Sequence, residues 1–129
     1  MATSQKARTR ASRTNPGAET SGREIRVILS TAPARAAARL ARRLVDARLA
    51  ACVNILPGVA SIYRWKGRVE KASESLLLIK TTAARASACL TALADAHPYE
   101  VPEGLVFAPC SALAPYASWV DALCGSAHA

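Results

Sequence analysis

The sequence predicts an α+β fold of the ferredoxin-like class, in which helices cover one face of an antiparallel sheet. Strand-like and helix-like segments alternate in the order βαββαβ and are followed by one extra C-terminal helix, which is the split-βαβ arrangement. Four consecutive aliphatic residues at 76–79 indicate a central strand that is buried on both faces. An unusually long strand at residues 49–66 is predicted to extend beyond the body of the domain as part of a β-hairpin.

The first strand is predicted at residues 24–31, because apolar and polar side chains alternate along this segment. The alternation is expected to turn Ile25, Val27 and Leu29 toward the core. Thr31 is a candidate N-cap for the helix that follows, since its hydroxyl can accept a bond from a free backbone amide.

The first helix is predicted at residues 34–49, and Pro33 suits its first turn because no backbone amide is needed there. The apolar residues recur at the spacing of one helix face and are Ala37, Leu40, Ala41, Leu44 and Val45. The opposite side carries Arg35, Arg39, Arg42, Arg43 and Asp46. A basic helix face of this kind is usually just exposed to solvent.

The long strand is predicted to be bent rather than folded back on itself. Pro57 removes a ladder donor and Gly58 permits an unusual φ, so the pair indicates a bulge, whereas a two-residue hairpin would favour Asn-Gly. At about 3.3 Å per residue this strand spans roughly 50 Å, against a radius of gyration near 13 Å for a domain of about 100 residues. Its apolar edge is therefore expected to be covered by other copies of the chain.

The rest of the chain completes the pattern. The remaining segments are a turn (66–68), a strand (69–82), a helix (83–96), a loop stiffened by two prolines (97–103), a strand (104–109) and a terminal helix (115–123). Because the helices would cover one face of the sheet only, the second face would be bare in a monomer. This is a second indication of self-association.

The composition places one domain between two tails. Residues 1–23 have no large apolar side chain after Met1 and carry five cations against one carboxylate, a net charge of +4 out of +8 for the 129-residue chain. They are predicted to be a disordered basic tail, followed by a folded domain at 24–124 and a short C-terminal tail at 125–129. The tail is expected to solubilise the chain, and nucleic-acid binding beyond non-specific charge attraction is not predicted.

The sequence favours a soluble cytoplasmic protein. No apolar run approaches the 18 or so residues of a transmembrane helix, and no secretory signal is recognised, so no membrane partner is predicted. The cysteines lack the spacing of a CxxC motif and are expected to be free thiols; they are Cys52, Cys89, Cys110 and Cys124.

With these segments in place, the sequence resembles the CutA divalent-cation tolerance family. The resemblance extends over residues 25–121. It is carried by the motifs STAP (30–33), LAACVNILPGVASIYRWKG (49–67), LLLIKTT (76–82) and HPYEVPE (97–103). It implies a cytoplasmic homotrimer with interlocked long strands, involved in metal tolerance, for which copper and other divalent cations have been proposed as ligands. The family also resembles PII-type signalling proteins in architecture, which implies ligand clefts between subunits.

The resemblance places Cys52 at the family's strand cysteine and His97 at the histidine of its Pro-Tyr-Glu loop. Together with Glu103 they are the predicted metal ligands, since thiolate sulfur suits Cu(I) and imidazole suits Cu(II) or Zn(II). The alternatives are that Cys52 is a small packed core residue and that His97 is a helix C-cap whose ring bonds the last carbonyls.

An inter-subunit cleft is predicted from the family's recurrent polar and aromatic positions and from Glu100, an acidic residue of the loop at 97–103. Its residues are Tyr63, Trp65, Glu70, Lys80, Tyr99 and Glu100. The two aromatic residues of the strand either stack on a ligand or pack against the neighbouring subunit. Lys80, if buried, needs a carboxylate partner, and Glu103 is the candidate, either in an ion pair or in an anion-binding cleft.

Three residues depart from the family pattern. Ser30 stands where some members carry a further cysteine, which weakens the case for a thiolate-rich copper site. Lys66 stands where an acid is common and makes the hairpin tip more basic. Gly104 replaces a usual aliphatic residue.

An enzyme is not predicted, because the sequence has no glycine-rich phosphate loop, no nucleophile elbow and one histidine in the predicted domain. Three functions are carried forward. The first is a metal-tolerance trimer that binds copper or another divalent cation. The second is a PII-like sensor that binds a small anion or nucleotide through Arg64, Lys80 and Glu103. The third is a structural or partner-binding trimer.

Overall fold

The computed structural model describes residues 24–124, so the two predicted tails lie outside the described residues. The elements are β1 (Ile25–Ala32), α1 (Ala34–Asp46), β2 (Cys52–Trp65), β3 (Arg68–Thr82), α2 (Ala86–Ala96), β4 (Leu105–Phe107) and α3 (Ala114–Cys124). Each element begins and ends within three residues of its predicted bounds. Within residues 24–124, no helix has both the length and the apolar character required to cross a bilayer.

The four strands form one antiparallel sheet in the order β2-β3-β1-β4. This order confirms the ferredoxin-like prediction and the central position of β3. β1 pairs with β3 along its whole length, from Ile25 opposite Thr82 to Ala32 opposite Ser75. β4 adds three pairs on the other side of β1 and stops at Leu105, opposite Leu29.

The main core lies between the sheet and the layer of α1 and α2. Its largest fully buried side chains are Ile28, Leu40, Leu44, Leu77, Ile79 and Leu93. Of the three residues predicted to turn inward, Ile25 is buried in a second cluster. For Val27 and Leu29 the prediction is wrong, because they are only half-buried. Ile28 and Ala32 of β1 face the main core instead. Both sets of alternating positions in β1 can be buried, so alternation alone does not identify the core side.

The opposite face of the sheet is only partly covered. α3 buries Ile25 and Ala51 against Ala117, Val120 and Cys124 at one end of this face. The remainder, here called the open face, consists of Val27, Leu29, Leu76, Leu78, Leu105 and Phe107. Leu105 and Phe107 are each 51% exposed. A single chain therefore leaves part of its apolar sheet surface in solvent, as the fold class predicts.

The β2–β3 hairpin continues past the end of β1, and residues 59–74 are called the hairpin extension. Leu56 pairs with Leu76 while Val59 pairs with Glu74, so β2 holds one extra residue at Pro57-Gly58, where Gly58 has φ +73°. This confirms the predicted bulge in one long, bent strand. The extension is strongly apolar for an exposed structure, since Ile62 is 70% and Val69 is 64% exposed.

The hairpin turns through two residues with left-handed backbone. Trp65 pairs with Arg68, and the residues between them, Lys66 and Gly67, have φ of +50° and +81°. Positive φ at both central positions is the requirement of a type I′ turn. The turn predicted at residues 66–68 is confirmed, with lysine at a position that usually holds Asn, Asp or Gly.

Leu90 occupies the space in front of Gly104. A β-carbon added at Gly104 would lie 2.8 Å from Cδ2 of Leu90 and 3.9 Å from Cδ2 of Leu93. A side chain at position 104 would therefore require Leu90 to shift.

Ser30 is a fully buried residue of β1 whose hydroxyl has no hydrogen-bond partner among residues 24–124. An unsatisfied buried polar group costs about 1–3 kcal/mol. Ser30→Ala is expected to raise the free energy of unfolding by about 1 kcal/mol, which corresponds to an increase in Tm of about 4–8 °C for a domain of this size. Urea denaturation measures this change. Ser111→Ala, at an exposed position before α3, is the control, and a loss of stability in Ser30→Ala would contradict the assigned cost.

Candidate functional site

A chain of polar contacts closes the edge of β1 beyond the end of β4. The last β1–β4 pair involves Leu29, so Thr31 lies past the reach of β4. The loop at residues 97–103 occupies this position and contacts both β1 and β3. The residues joined by side-chain hydrogen bonds are here called the edge network and are Thr31, Glu74, His97, Tyr99 and Glu103.

His97 ties the loop to the sheet. The side chain is 8% exposed, and its Nε2 lies 2.9 Å from the backbone oxygen of Thr31. Its Nδ1 accepts a bond from the backbone N–H of Tyr99 at 3.1 Å. Because a carbonyl oxygen only accepts, Nε2 carries the proton and the ring is the neutral Nε2–H tautomer. His97 is the C-cap residue of α2, but its ring bonds β1 and the loop rather than the last carbonyls of the helix.

Tyr99 connects the loop to β3. Its hydroxyl donates to Oε2 of the buried Glu74 at 2.5 Å, and its ring centroid lies 4.7 Å from that of His97. Burial, the bond to Glu74, the Glu74 charge and Tyr63 raise the pKa of Tyr99 to about 12, against a smaller lowering by Arg35. The phenol therefore stays protonated at neutral pH and remains a donor to Glu74.

Glu103 and His97 meet at the same residue of β1. Oε1 of Glu103 accepts a bond from the Thr31 hydroxyl at 3.3 Å, while His97 bonds the Thr31 backbone. The prediction of Thr31 as an N-cap is wrong: Thr31 belongs to β1, and Pro33 is the N-cap of α1 without a side-chain bond. The hydroxyl is directed to the loop because the strand continues one residue past Thr31.

Cys52 lies away from the other two predicted metal ligands. It pairs with Lys80, which is opposite Val27, and Thr31 lies four residues further along β1. At about 3.3 Å per residue this is a separation of roughly 13 Å along the strands. Among residues 24–124, no group of three or more His, Cys, Asp and Glu side chains is placed to hold a metal ion. A site that uses all three predicted ligands needs more than one copy of the chain.

The predicted cleft residues are spread along one face of the hairpin. Tyr63 pairs with Glu70 next to Trp65 near the tip, and Tyr63 is close enough to Tyr99 to contribute to its raised pKa. Lys80 shares a face of β3 with Glu70 but lies ten residues away, about 33 Å at 3.3 Å per residue. Glu100 is an exposed loop residue.

Lys80 has a different partner from the predicted one. Its ammonium group donates to Oδ1 of Asn54 on the neighbouring strand, and Glu103 is engaged with Thr31. The prediction of a Lys80–Glu103 ion pair is therefore wrong within one chain. Lys80 is opposite Val27, four residues along β1 from Thr31, which Glu103 contacts.

Sequence reasoning missed Glu74 and the site role of Thr31. Glu74 lies two residues before the aliphatic run at 76–79 of β3, and a carboxylate at the edge of a buried segment needs a donor. That position is the one signal in the sequence that points to Glu74. Since both nitrogens of His97 are engaged, the imidazole coordinates a metal or moves a proton only after it releases Thr31 or Tyr99.

The chain is similar to proteins of one family. Residues 26–123 match the family model described as CutA1 divalent ion tolerance protein. The chain is 46% identical over 97 residues to the divalent-cation tolerance protein CutA of Pectobacterium atrosepticum, covering 74% of this chain and 88% of that protein. It spans about half the length of the vertebrate relatives that it matches.

Solved structures of the same kind share the fold. CutA from Xylella fastidiosa matches with a TM-score of 0.77 and 40% identity, covering 78% of this chain and 98% of that one. The PII-like protein CutA from Nostoc sp. PCC 7120 in apo form matches with a TM-score of 0.73 and 33% identity, covering 77% and 96%. These likenesses agree with the mixed α+β architecture described above.

Proposed function

Because this chain belongs to the CutA1 divalent ion tolerance protein family, we propose that it acts in divalent-cation tolerance as a homotrimer that binds copper or another divalent cation. The observation that carries the proposal is the edge network, in which two predicted ligands, His97 and Glu103, converge on Thr31.

The apolar surface of one chain supports the trimer. The open face and the hairpin extension together expose Ile62, Val69, Leu105 and Phe107. Leu105 and Phe107 lie on the open face, whereas the pairing of β2 with β3 puts Ile62 and Val69 on the opposite face of the sheet. Exposed apolar side chains of this kind mark interaction sites, and long strands with free edges are normally covered by a partner. Closed symmetric association of identical chains covers such surface without leaving an open end.

A metal site must draw on ligands from more than one copy, because one chain does not bring Cys52 together with His97 and Glu103. Trimerisation would supply this condition, since each interface can join one copy's strand to another copy's loop. Cys52 is half-buried and unpaired by any disulfide, and a thiolate there suits Cu(I). Binding at His97 requires exchange of one of its two hydrogen bonds for the metal.

Calorimetric titration with Cu(II), and anaerobically with Cu(I), tests metal binding. We expect saturable uptake with a fixed ratio to the trimer and at least a roughly tenfold weaker affinity in Cys52→Ser and His97→Ala, since each removes one of the few ligands. Cys110→Ser, which alters an exposed thiol, is the matched control. Absence of saturable uptake, or equal uptake by all variants, would remove metal binding from the proposal.

A PII-like sensor is the second candidate, and the match to a PII-like CutA in apo form favours it. In this case inter-subunit clefts bind a small anion or nucleotide, with Arg64, Lys80 and Glu103 as the polar residues. A thermal-shift screen of anionic metabolites separates the two candidates. If the protein is a sensor, a metabolite should raise its Tm and metal ions should leave the Tm unchanged. A trimer that binds a partner protein through its surface, without either ligand, is the third candidate.

A non-enzymatic, cytoplasmic role completes the proposal. The family and the relatives are named for divalent ion tolerance, and His97, the histidine within residues 24–124, is held by two hydrogen bonds. The four cysteines are free thiols, which suits a reducing compartment.

A further inference from the structure

Four arginines share the exposed face of α1. Arg35, Arg39, Arg42 and Arg43 are all exposed, and at 3.6 residues per turn they lie within a sector of about 100°. This set is called the arginine face. We propose that the arginine face binds the phosphate backbone of nucleic acid, without reading its sequence.

The charges of this face are not neutralised by the protein. Between residues 24 and 124, the ion pair that the structure shows joins Arg26 and Glu24. Within these residues, no arginine of the face has an acidic side chain within salt-bridge distance. Asp46 is the one carboxylate on the same side of α1, one turn beyond Arg42, and it forms no ion pair within the described residues. The face therefore keeps its positive charge available for an external anion.

The arrangement is unfavourable for the stability of the helix. Arg35 and Arg39, and Arg39 and Arg43, are like charges at i, i+4, a spacing that destabilises a helix. α1 has no acidic residue in its first turn, where Arg35 opposes the helix dipole. Arg48, just past the helix, keeps a cationic side chain at φ +61°, a conformation that favours Gly or Asn. Of the four arginines, Arg43 lies in the last turn, where a cation suits the helix dipole. The other cations are held at unfavourable places, which indicates that the charge itself is used.

The geometry favours a nucleic acid over a lipid surface. A membrane-surface helix inserts its apolar side between lipids, but the apolar side of α1 is buried in the core through Ala36, Ala37, Leu40, Ala41 and Leu44. The arginines instead form a rigid row of about 12 Å from Arg35 to Arg43, at 1.5 Å per residue. This is the axial length of about three to four phosphates of one strand, at 3.4 Å each.

No aromatic residue lies on this face of α1, so base stacking is not available and binding rests on backbone charge. The arginine face lies on the helix layer, opposite the open face. Association through the open face would leave it accessible, and a trimer would present three copies that raise the apparent affinity through multivalency. The inference does not depend on the metal or on the trimer.

Fluorescence anisotropy with the full chain and a labelled mixed-sequence DNA duplex of about 24 base pairs tests the proposal, over salt from about 50 to about 200 mM. In Arg39→Gln/Arg42→Gln/Arg43→Gln we expect affinity to fall roughly tenfold or more at the lowest salt. The slope of log K against log salt should decrease by about two to three, since each phosphate contact contributes about 0.9. Asp46→Asn should strengthen binding, because it removes the one repulsive charge.

A control removes the same charge elsewhere, in Arg8→Gln/Arg10→Gln/Arg13→Gln of the N-terminal segment. It should lose clearly less affinity than the α1 variant. A triple Arg→Lys variant of α1 keeps the charge and should keep binding, which separates charge from misfolding. Equal losses in the two triple Gln variants, no binding by the unaltered chain at low salt, or binding to anionic phosphatidylglycerol vesicles but not to DNA would each overturn the proposal.

Discussion

Ile62→Asp is expected to convert the assembled protein into folded monomers. In a single chain Ile62 is largely exposed on the hairpin extension, so a carboxylate there costs the isolated fold little. In an assembly that covers the extension, the same carboxylate would be buried without a partner, at a cost of about 3 kcal/mol or more per interface. That is more than about a hundredfold in each association constant.

Sedimentation velocity at micromolar concentration measures this change, with a trimer expected for the unaltered chain. Val45→Asp is the matched control, because Val45 is an aliphatic residue of α1 that is 40% exposed on the helix layer. It should remain trimeric. If Ile62→Asp also stays trimeric, the hairpin extension is not in the interface, and if the unaltered chain is a monomer, the trimer proposal is wrong.

His97→Phe is expected to lower the free energy of unfolding by about 2–4 kcal/mol, because a part-buried acceptor and a part-buried donor both lose their partner. The acceptor is the backbone oxygen of Thr31 and the donor is the backbone N–H of Tyr99. Phenylalanine keeps an aromatic ring in the space, so the change isolates the hydrogen bonds better than alanine does. Urea denaturation of the metal-free protein gives the value.

Tyr99→Phe provides the comparison within the same loop. It removes one bond, the one to Glu74, and should cost less than His97→Phe. Cys110→Ser, at an exposed position, should leave the unfolding curve unchanged. A loss below about 1 kcal/mol in His97→Phe would show that the two bonds are readily replaced by water, and the edge network would lose its role in fixing the loop.

The fold was predictable from local patterns that leave few alternatives. The aliphatic run at 76–79 has one plausible place, in the middle of a sheet. Pro57-Gly58 interrupts an apolar strand without the composition of a hairpin turn, so the bulge follows from the two residues themselves. The alternation of strands and helices then fixes the order of the sheet, because split-βαβ units leave little choice of topology.

The edge network was not predictable in the same way, because its contacts join distant parts of the chain. Thr31 and Glu103 are 72 positions apart, and Tyr99 and Glu74 are 25 apart. Which side chain bonds which depends on where β4 stops along β1, and a three-residue strand gives too weak a pattern to locate its end. The predicted pairing of Lys80 with Glu103 also joins distant parts of the chain, and the structure places the two residues four positions apart along β1.

The attachment of the loop to Thr31 has a consequence for local opening. Glu103 holds the side chain of Thr31 and His97 holds its backbone, so both ends of the 97–103 segment depend on one strand position. The segment therefore detaches as a single cooperative unit rather than fraying residue by residue. In native-state hydrogen exchange, amides across this unit should share one opening free energy. A substitution at either end of the segment should lower that free energy at the other end as well.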